Sequence, residues 1–313
     1  MSITNKWNGK ISIVITTYDR VDLLELVLKD LSRQTANPAD YEVIVIDNAG
    51  QAECRRLTQE SGYKYIHEPK VGHCHARNRG LKEATFDWVL YFDDDVRLPI
   101  NIGKEFLTYL RIAGQIPGVA AFGGRFDHWY LEPPAPWLQI EQGVGKFPGK
   151  AKAGGVLPEG QYLIGCFFAV NKETTLALGG FDPEFGMKGK EIGWADETEL
   201  QVRLREHNYI VYYAPELVIS HLVQPWKCSF KGQLKHAYSL GKNKWVPNEE
   251  NSFSLLYLAQ EIIRITFVVF PVTMARWLLA HREWYWQNAA LRVLPKYAFI
   301  LGRTHKRKLI LRD

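Results

Sequence analysis

The chain has 313 residues, 46% hydrophobic and 23% charged, with 25 Gly and 15 Pro. That mixture excludes a disordered, collagen-like or coiled-coil chain and allows a sizeable core. The formal net charge of +5 is too small for a dedicated nucleic-acid binder and suits anionic small molecules or a membrane surface.

Residues 11–17 are an apolar, β-branched run, as a strand buried on both faces requires. A helix follows, with Val21, Leu24, Leu28 and Leu31 on one stripe and Asp19 as its N-cap. Residues 41–47 read as a second buried strand ending in the carboxylate of Asp47. A polar helix, a short strand over 63–67 and a helix over 76–84 come next. A strand over 88–92 then runs into Asp93, Asp94 and Asp95. This β-α-β-α-β rhythm predicts an α/β fold with a parallel sheet covered by helices. Ligands of such sheets bind at the carboxyl ends of the strands, where Thr17, Asp47 and the three aspartates all fall. The rhythm breaks after about Gly123. Residues 124–160, rich in Gly, Pro and aromatics, read as long loops. Residues 162–170 read as a strand, 197–206 as a helix with Leu200 and Leu204 inward, and 210–213 as a short strand followed by His221. From Phe253 onward the chain is helical, aromatic and basic.

The cysteines, Cys54, Cys74, Cys166 and Cys228, form no C-x-x-C pair. A zinc site or disulfide framework is therefore not expected, and a reducing, cytoplasmic compartment is. The first residues lack an apolar signal core. The most apolar stretch, residues 265–275, falls short of the roughly 20 residues that span a bilayer. A soluble or peripheral protein is expected.

Three adjacent carboxylates repel one another, so a cation at Asp93–Asp95 would relieve an electrostatic cost. Positions i and i+2 of a strand face the same way, which lets Asp93 and Asp95 share a hard divalent ion, Mn²⁺ or Mg²⁺. A solvated loop or helix cap is the plainer alternative. A lone His after a strand is more often structural, but His221 would suit Mn²⁺ as a third ligand. Asp196 and Glu197 open a helix, where acidic groups are favoured by the dipole; the functional alternative is a general base. The glycines of residues 143–150 lack P-loop spacing, no G-x-G-x-x-G opens a helix, and no G-x-S-x-G elbow is present.

Together these segments resemble family 2 inverting glycosyltransferases. The resemblance rests on Ile13–Arg20, Glu42–Gly50, Gly72 with Ala76-Arg77-Asn78-Arg-Gly80, the D-x-D of Asp93–Asp95, Gly179-Gly-Phe-Asp-Pro183, and Asp196-Glu-Thr-Glu-Leu with Arg203. It covers roughly residues 11–221. It implies a GT-A fold, a nucleotide-sugar donor and a divalent metal. Thr17, Tyr18, Arg20, Asp47, Arg77, Asp93 and Asp94 would bind the donor, with Asp47 receiving a hydrogen bond from the base. Asp93, Asp95 and His221 would hold the metal. Gly180, Phe181 and Asp182 would lie on the acceptor side, with Trp129 and Trp137 as stacking platforms or as core. The E-D order of the family appears here as Asp196-Glu197. Registering on Thr-Glu-Leu favours Glu197 as base and leaves Asp196 open. The Q-x-x-R-W motif of processive synthases is not found, so transfer of a single sugar is expected. Two other readings are a sugar nucleotidyltransferase, though residues 16–20 carry no glycine- and Lys/Arg-rich triphosphate loop, and a non-catalytic carbohydrate- or lipid-binding protein.

The resemblance divides the chain into a catalytic domain over 1–225 and a helical, aromatic and basic extension over 226–313. The donor half of the catalytic domain would be about 1–123 and the acceptor half 124–225. In the extension Trp277, Trp284, Tyr285 and Trp286 sit among Arg276, His281 and Arg282, and the chain ends in the basic run 303–308. Basic residues interleaved with aromatics suit peripheral contact with the inner face of a membrane. The alternatives are packing on the catalytic domain or a homodimer.

Overall fold

Side-chain alternation along the first strands sorts the two faces of the sheet into two cores. In the computed structural model, which describes residues 9–142, 154–243, 255–279 and 284–310, β1 (Ile11–Thr17) sends Ile11, Ile13 and Ile15 into one core and Val14 into the other. Next to it, β2 (Tyr41–Asp47) divides Val43 and Val45 from Ile44 and Ile46 in the same way. The middle of each strand is apolar because both faces are covered, and the polar residues Thr16, Thr17 and Asp47 come at the carboxyl ends. β3 (Lys64–His67) pairs parallel with β2, and β4 (Trp88–Asp93) pairs parallel with β1. The register sets Thr17 opposite Asp47 and Thr16 opposite Asp93, so the strand ends line up on one edge.

The remaining strands are β5 (Val96–Arg97), β6 (Val119–Trp129), β7 (Gly155–Val156), β8 (Phe167–Asn171) and β9 (Ile210–Leu222). β8 runs antiparallel between β4 and β6, and the sheet reads β3-β2-β1-β4-β8-β6-β9-β5, with β7 on β9. The sheet is therefore mixed: its first half is parallel as expected, and antiparallel strands complete it. The helices are α1 (Val21–Leu31), α2 (Ala52–Glu60), α3 (His73–Glu83), α4 (Ile102–Ala113), α5 (Pro136–Gln142), α6 (Lys172–Ala177), α7 (Asp196–Glu206), α8 (Phe230–Asn243), α9 (Leu255–Arg264), α10 (Phe270–Leu279) and α11 (Trp286–Ile310). A π-helical turn, Ile265–Val269, joins α9 to α10.

Several local expectations change. Asp19 does not cap α1: it sits at φ 58°, its carboxylate accepts from Gln51 Nε2 at 2.6 Å, and Arg20 occupies the cap position. Residues 124–160 are not all loop, since β6 runs on to Trp129 and α5 follows. The glycines that looked like a break are where strands crowd. A Cβ on Gly123 would lie 2.9 Å from the Phe167 carbonyl, and one on Gly124 would strike the Leu217 carbonyl. β9 continues past residue 213 to include His221. Residues 143–153, with the glycines weighed as a phosphate loop, lie outside the described residues, as do His281 and Arg282.

The chain divides into two compact units, residues 1–128, 147–191 and 195–221 in the first, and 129–146, 192–194 and 222–313 in the second. The sheet belongs to the first. In the second, α8 lies close along α11, because a Cβ on Gly302 would collide with the Tyr238 carbonyl and one on Gly241 with the Phe299 backbone. Leu258, Ile265, Val293 and Ile300 form a small core there. Residues Leu256–Leu279 form 24 continuous helical residues with mean hydropathy 1.7 over their most apolar window, of which 11% is buried. That is long and apolar enough to cross a membrane, which corrects the limit drawn at residues 265–275. The helix carries on through Arg264 because Glu261 pairs with it at 2.9 and 2.6 Å.

Candidate active site

The chain turns sharply after β4, so that β5 can pair with β9 and set Val96 opposite His221. This register brings the imidazole across from the aspartate turn. His221 Nε2 lies 3.1 Å from Asp95 Oδ1 and 4.0 Å from Asp93 Oδ2, and one ligand atom from each of the three residues falls within 4.8 Å of the others. Two carboxylates and an imidazole are a donor set that fits Mn²⁺, and less selectively Mg²⁺. Asp94 turns the other way. It accepts from Thr17 Oγ1 at 2.7 Å and Arg20 Nη1 at 3.1 Å, and Arg20 also reaches Asp95 at 2.9 Å. Burial pushes the Asp94 carboxyl up to about 7 against the pull of Arg20, with Asp95 and Asp93 adding to the push.

The second acidic pair is reached through α3. Arg77, on the inward face of that helix, is 1% exposed. Its guanidinium donates to Asp196 Oδ2 at 2.8 Å, to the Gly165 carbonyl at 2.7 Å and to Asp93 Oδ1 at 3.4 Å. The rings of Tyr91, Phe168 and Phe181 surround it at 5.7, 5.3 and 5.5 Å, where a desolvated cation is attracted to aromatic faces. One buried cation therefore touches both acidic clusters.

The sequence reading missed His73, the first residue of α3. Its Nε2 lies 3.0 Å from Thr16 Oγ1, and its Nδ1 lies 3.2 Å from Asp196 Oδ2. His73 and Arg77 are four residues apart on one helix, hence on one face; that spacing was the available signal. Burial would raise the Asp196 carboxyl, but Arg77 and His73 outweigh it and hold the group well below the usual carboxylate range. Glu197 behaves oppositely. Burial and the neighbouring charge of Asp196 push its carboxyl up to about 8, against Arg77. The two adjacent groups thus differ in kind: Asp196 is a clamped anion, and Glu197 exchanges its proton near neutrality. Gly165 makes room for this, because a Cβ there would sit 3.1 Å from the Glu197 carboxyl carbon and 3.2 Å from Arg77 Nη2.

Other expected site residues have defined places. Asp47 is fully buried, with its oxygens taken by the amides of Ala49, Gly50 and Gln51 and by the Tyr65 hydroxyl at 2.7–3.0 Å. It anchors the turn into α2. The half-buried Tyr18 stands near Gly189. Gly180 has φ 76°, and Phe181 exchanges two backbone hydrogen bonds with the Asn78 amide at 2.7 and 2.8 Å. Arg203 donates to the carbonyls of Leu178 and Gly180, and Asp182 accepts from the Glu184 amide. Trp129 and Trp137 belong to the second unit, where their carbonyls accept from the Val223 amide and Asn288 Nδ2.

The family model described as Glycosyl transferase family 2 matches residues 12–174. An uncharacterized glycosyltransferase of Bacillus subtilis (strain 168), YwdF, is 43% identical over 89 residues, 28% of this chain and 32% of that protein. Validoxylamine A glucosyltransferase of Streptomyces hygroscopicus subsp. limoneus is 27% identical over 228 residues, 63% of this chain and 48% of that protein. The chain thus spans about a third to a half of the length of these relatives. Among solved structures, the mannosyltransferase PcManGT from Pyrobaculum calidifontis, in complex with GDP-Man and Mn²⁺, aligns with a TM-score of 0.62 at 16% identity over 97% of this chain and 88% of that one. TarS 1–349 of S. aureus in complex with UDP-GlcNAc aligns with a TM-score of 0.56 at 12% identity, over 97% and 92%. At these identities the likeness is one of fold.

Proposed function

The chain belongs to glycosyl transferase family 2, and from that premise we propose that it moves a single sugar from a UDP-linked donor to a hydroxyl of a glycan or lipid-linked acceptor, with inversion and with Glu197 as general base. The fold is that of GT-A glycosyltransferases, and membership of the family sets aside the nucleotidyltransferase and non-catalytic readings. The observation that carries the proposal is Arg77 between the two acidic clusters, at 3.4 Å from Asp93 and 2.8 Å from Asp196.

In this reading Thr17, Tyr18, Arg20 and Asp94 form the donor's diphosphate and ribose end, and the turn fixed by Asp47 meets the base. A divalent cation held by Asp93, Asp95 and His221 would supply Lewis-acid stabilisation of the charge that builds on the departing diphosphate. Glu197, ionised, takes the proton of the acceptor hydroxyl. The hydroxyl oxygen forms its bond to the anomeric carbon as the bond to the diphosphate breaks, in line and with inversion. Asp196 stays an anion throughout and keeps Arg77 and His73 in place. The loop Gly180–Asp182 borders the acceptor. Residues 1–225 are the catalytic domain of this proposal, and 226–313 a helical extension that makes peripheral contact with a membrane.

The test is a panel of nucleotide sugars with Mn²⁺, scored by thermal shift and by slow donor hydrolysis. Glu197→Gln should keep donor binding and lose transfer. Transfer at the wild-type rate by that variant removes the base assignment, and failure of every donor to bind removes the function.

A further inference from the structure

We propose that the second unit docks in the plane of an anionic phospholipid bilayer through the helical run Leu256–Leu279, with a basic groove behind that run receiving lipid phosphates. The inference rests on the reading of the C-terminal extension as a peripheral membrane element.

The run carries two apolar stripes. One packs inside the unit: Leu258 and Ile265 are buried with Val293 and Ile300 of α11. The other is centred on Leu256, Ile263, Phe267, Phe270 and Leu278, with Val268, Val272 and Leu279 exposed beside it. The spacings of seven, four, three and eight between those five place them on one helical face. The five are 48–73% exposed. A contiguous apolar face of this kind marks an interaction surface.

Charge identifies the partner. A cavity of about 790 Å³ lies between the run and α11. Arg264, Arg276, Arg292 and Lys296 line it, and Glu261 is the one acidic residue of its lining among the described residues. Arg264 holds Glu261 in a two-bond pair, and the Arg292 guanidinium stacks on Trp284 at 4.1 Å. Arg276 and Lys296 have no ion pair within 4.0 Å among the described residues. Apolar groups facing outward beside four cations and one acid match the acyl and phosphate layers of an anionic membrane.

Orientation follows from α11. That helix lies alongside the run and carries Arg292, Lys296 and Arg303. The run itself contains Arg264 and Arg276. Placing these cations in hydrocarbon is costly, whereas an in-plane helix leaves them at phosphate depth. A two-fold contact with a second copy through this groove would bring the same cations together.

The experiment is flotation of the full chain with phosphatidylcholine vesicles, with and without phosphatidylglycerol, beside metal-dependent hydrolysis of a UDP-sugar. The protein should float only with phosphatidylglycerol and be released by high salt. Neutralising Arg276, Arg292 and Lys296 to Ala should weaken binding about fivefold per residue. The pair Ile263→Asp and Phe267→Asp should abolish it. All of these variants should hydrolyse donor as the wild type does. Several results overturn the proposal: no flotation of wild type with phosphatidylglycerol vesicles, equal flotation by the neutralised variant, retention through alkaline carbonate as a spanning helix would show, or self-association without vesicle binding. Flotation without donor hydrolysis leaves the docking standing and sinks the enzymatic reading instead.

Discussion

The pH dependence of turnover is where the geometry around Glu197 makes its sharpest demand. A general base must be ionised to act, and the Glu197 carboxyl is pushed up to about 8 by burial and by Asp196. The sign is therefore fixed: acceptor turnover should rise with pH and level off above the apparent pKa. A group of that pKa is about one-tenth ionised at pH 7 and half ionised at pH 8, so kcat/KM should climb roughly fivefold across that unit. The assay is kcat/KM for the acceptor from pH 6 to 9 with donor and Mn²⁺ saturating, because this parameter reports the group before the acceptor binds. Asp196→Asn supplies the control. Removing the charge that adds to burial in raising Glu197 should move the rising limb to lower pH, while Glu197→Gln should abolish turnover at every pH. A flat profile with donor binding intact would refute the reasoning, as would a limb that stays near 8 in Asp196→Asn.

Other consequences are open to direct measurement. Arg77→Met leaves Asp196 buried without its main counter-ion and should lower stability by about 3–5 kcal/mol in urea unfolding; a loss under about 1 kcal/mol would mean that the pair does not bear on the fold. Gly165→Ala brings a methyl group to 3.1 Å from the Glu197 carboxyl carbon. It should cut turnover at least about tenfold, a barrier change of about 1.4 kcal/mol, with near-normal donor affinity. With Mn²⁺ at about a hundred times its dissociation constant, binding should stabilise the wild type by about 2.7 kcal/mol. Asp95→Ala and His221→Ala should lose most of that gain in thermal unfolding, and an unchanged shift in both would remove the metal assignment.

What the sequence disclosed depended on how many constraints each segment satisfied at once. β1 and β2 were legible to the residue because strands buried on both faces carry an unbroken apolar, β-branched run, Ile13–Ile15 and Val43–Ile46. β6 was hidden because Gly123 and Gly124 look like a loop, although close packing of backbones is what excludes a side chain there. The helical run 256–279 was cut short on paper by Arg264, whose charge is met by Glu261 one turn earlier. At the site, the aspartate turn was readable from three adjacent carboxylates, whereas the approach of His221 to it depends on the β5–β9 register, which no local pattern states. The contrast between Asp196 and Glu197 was not legible either, since it is set by residues about 120 positions away.

That last point locates control of the base on α3 rather than on α7. His73 and Arg77 share one face of α3 and both contact Asp196 Oδ2, at 3.2 and 2.8 Å. They keep Asp196 ionised, and the ionised Asp196 in turn raises Glu197. Removing one of the two contacts should therefore act on a proton that neither residue touches. His73→Leu keeps the bulk of the ring and deletes the Nδ1 contact. Asp196, still ionised by Arg77, then loses one of the two contacts that take up its charge, more of that charge bears on Glu197, and the rising limb of the pH profile should shift to higher pH. His73→Gln, which can still donate, should restore the limb toward about 8. A residue that served packing alone would change the height of the profile and leave its position where it was, so a fixed limb in His73→Leu defeats the argument.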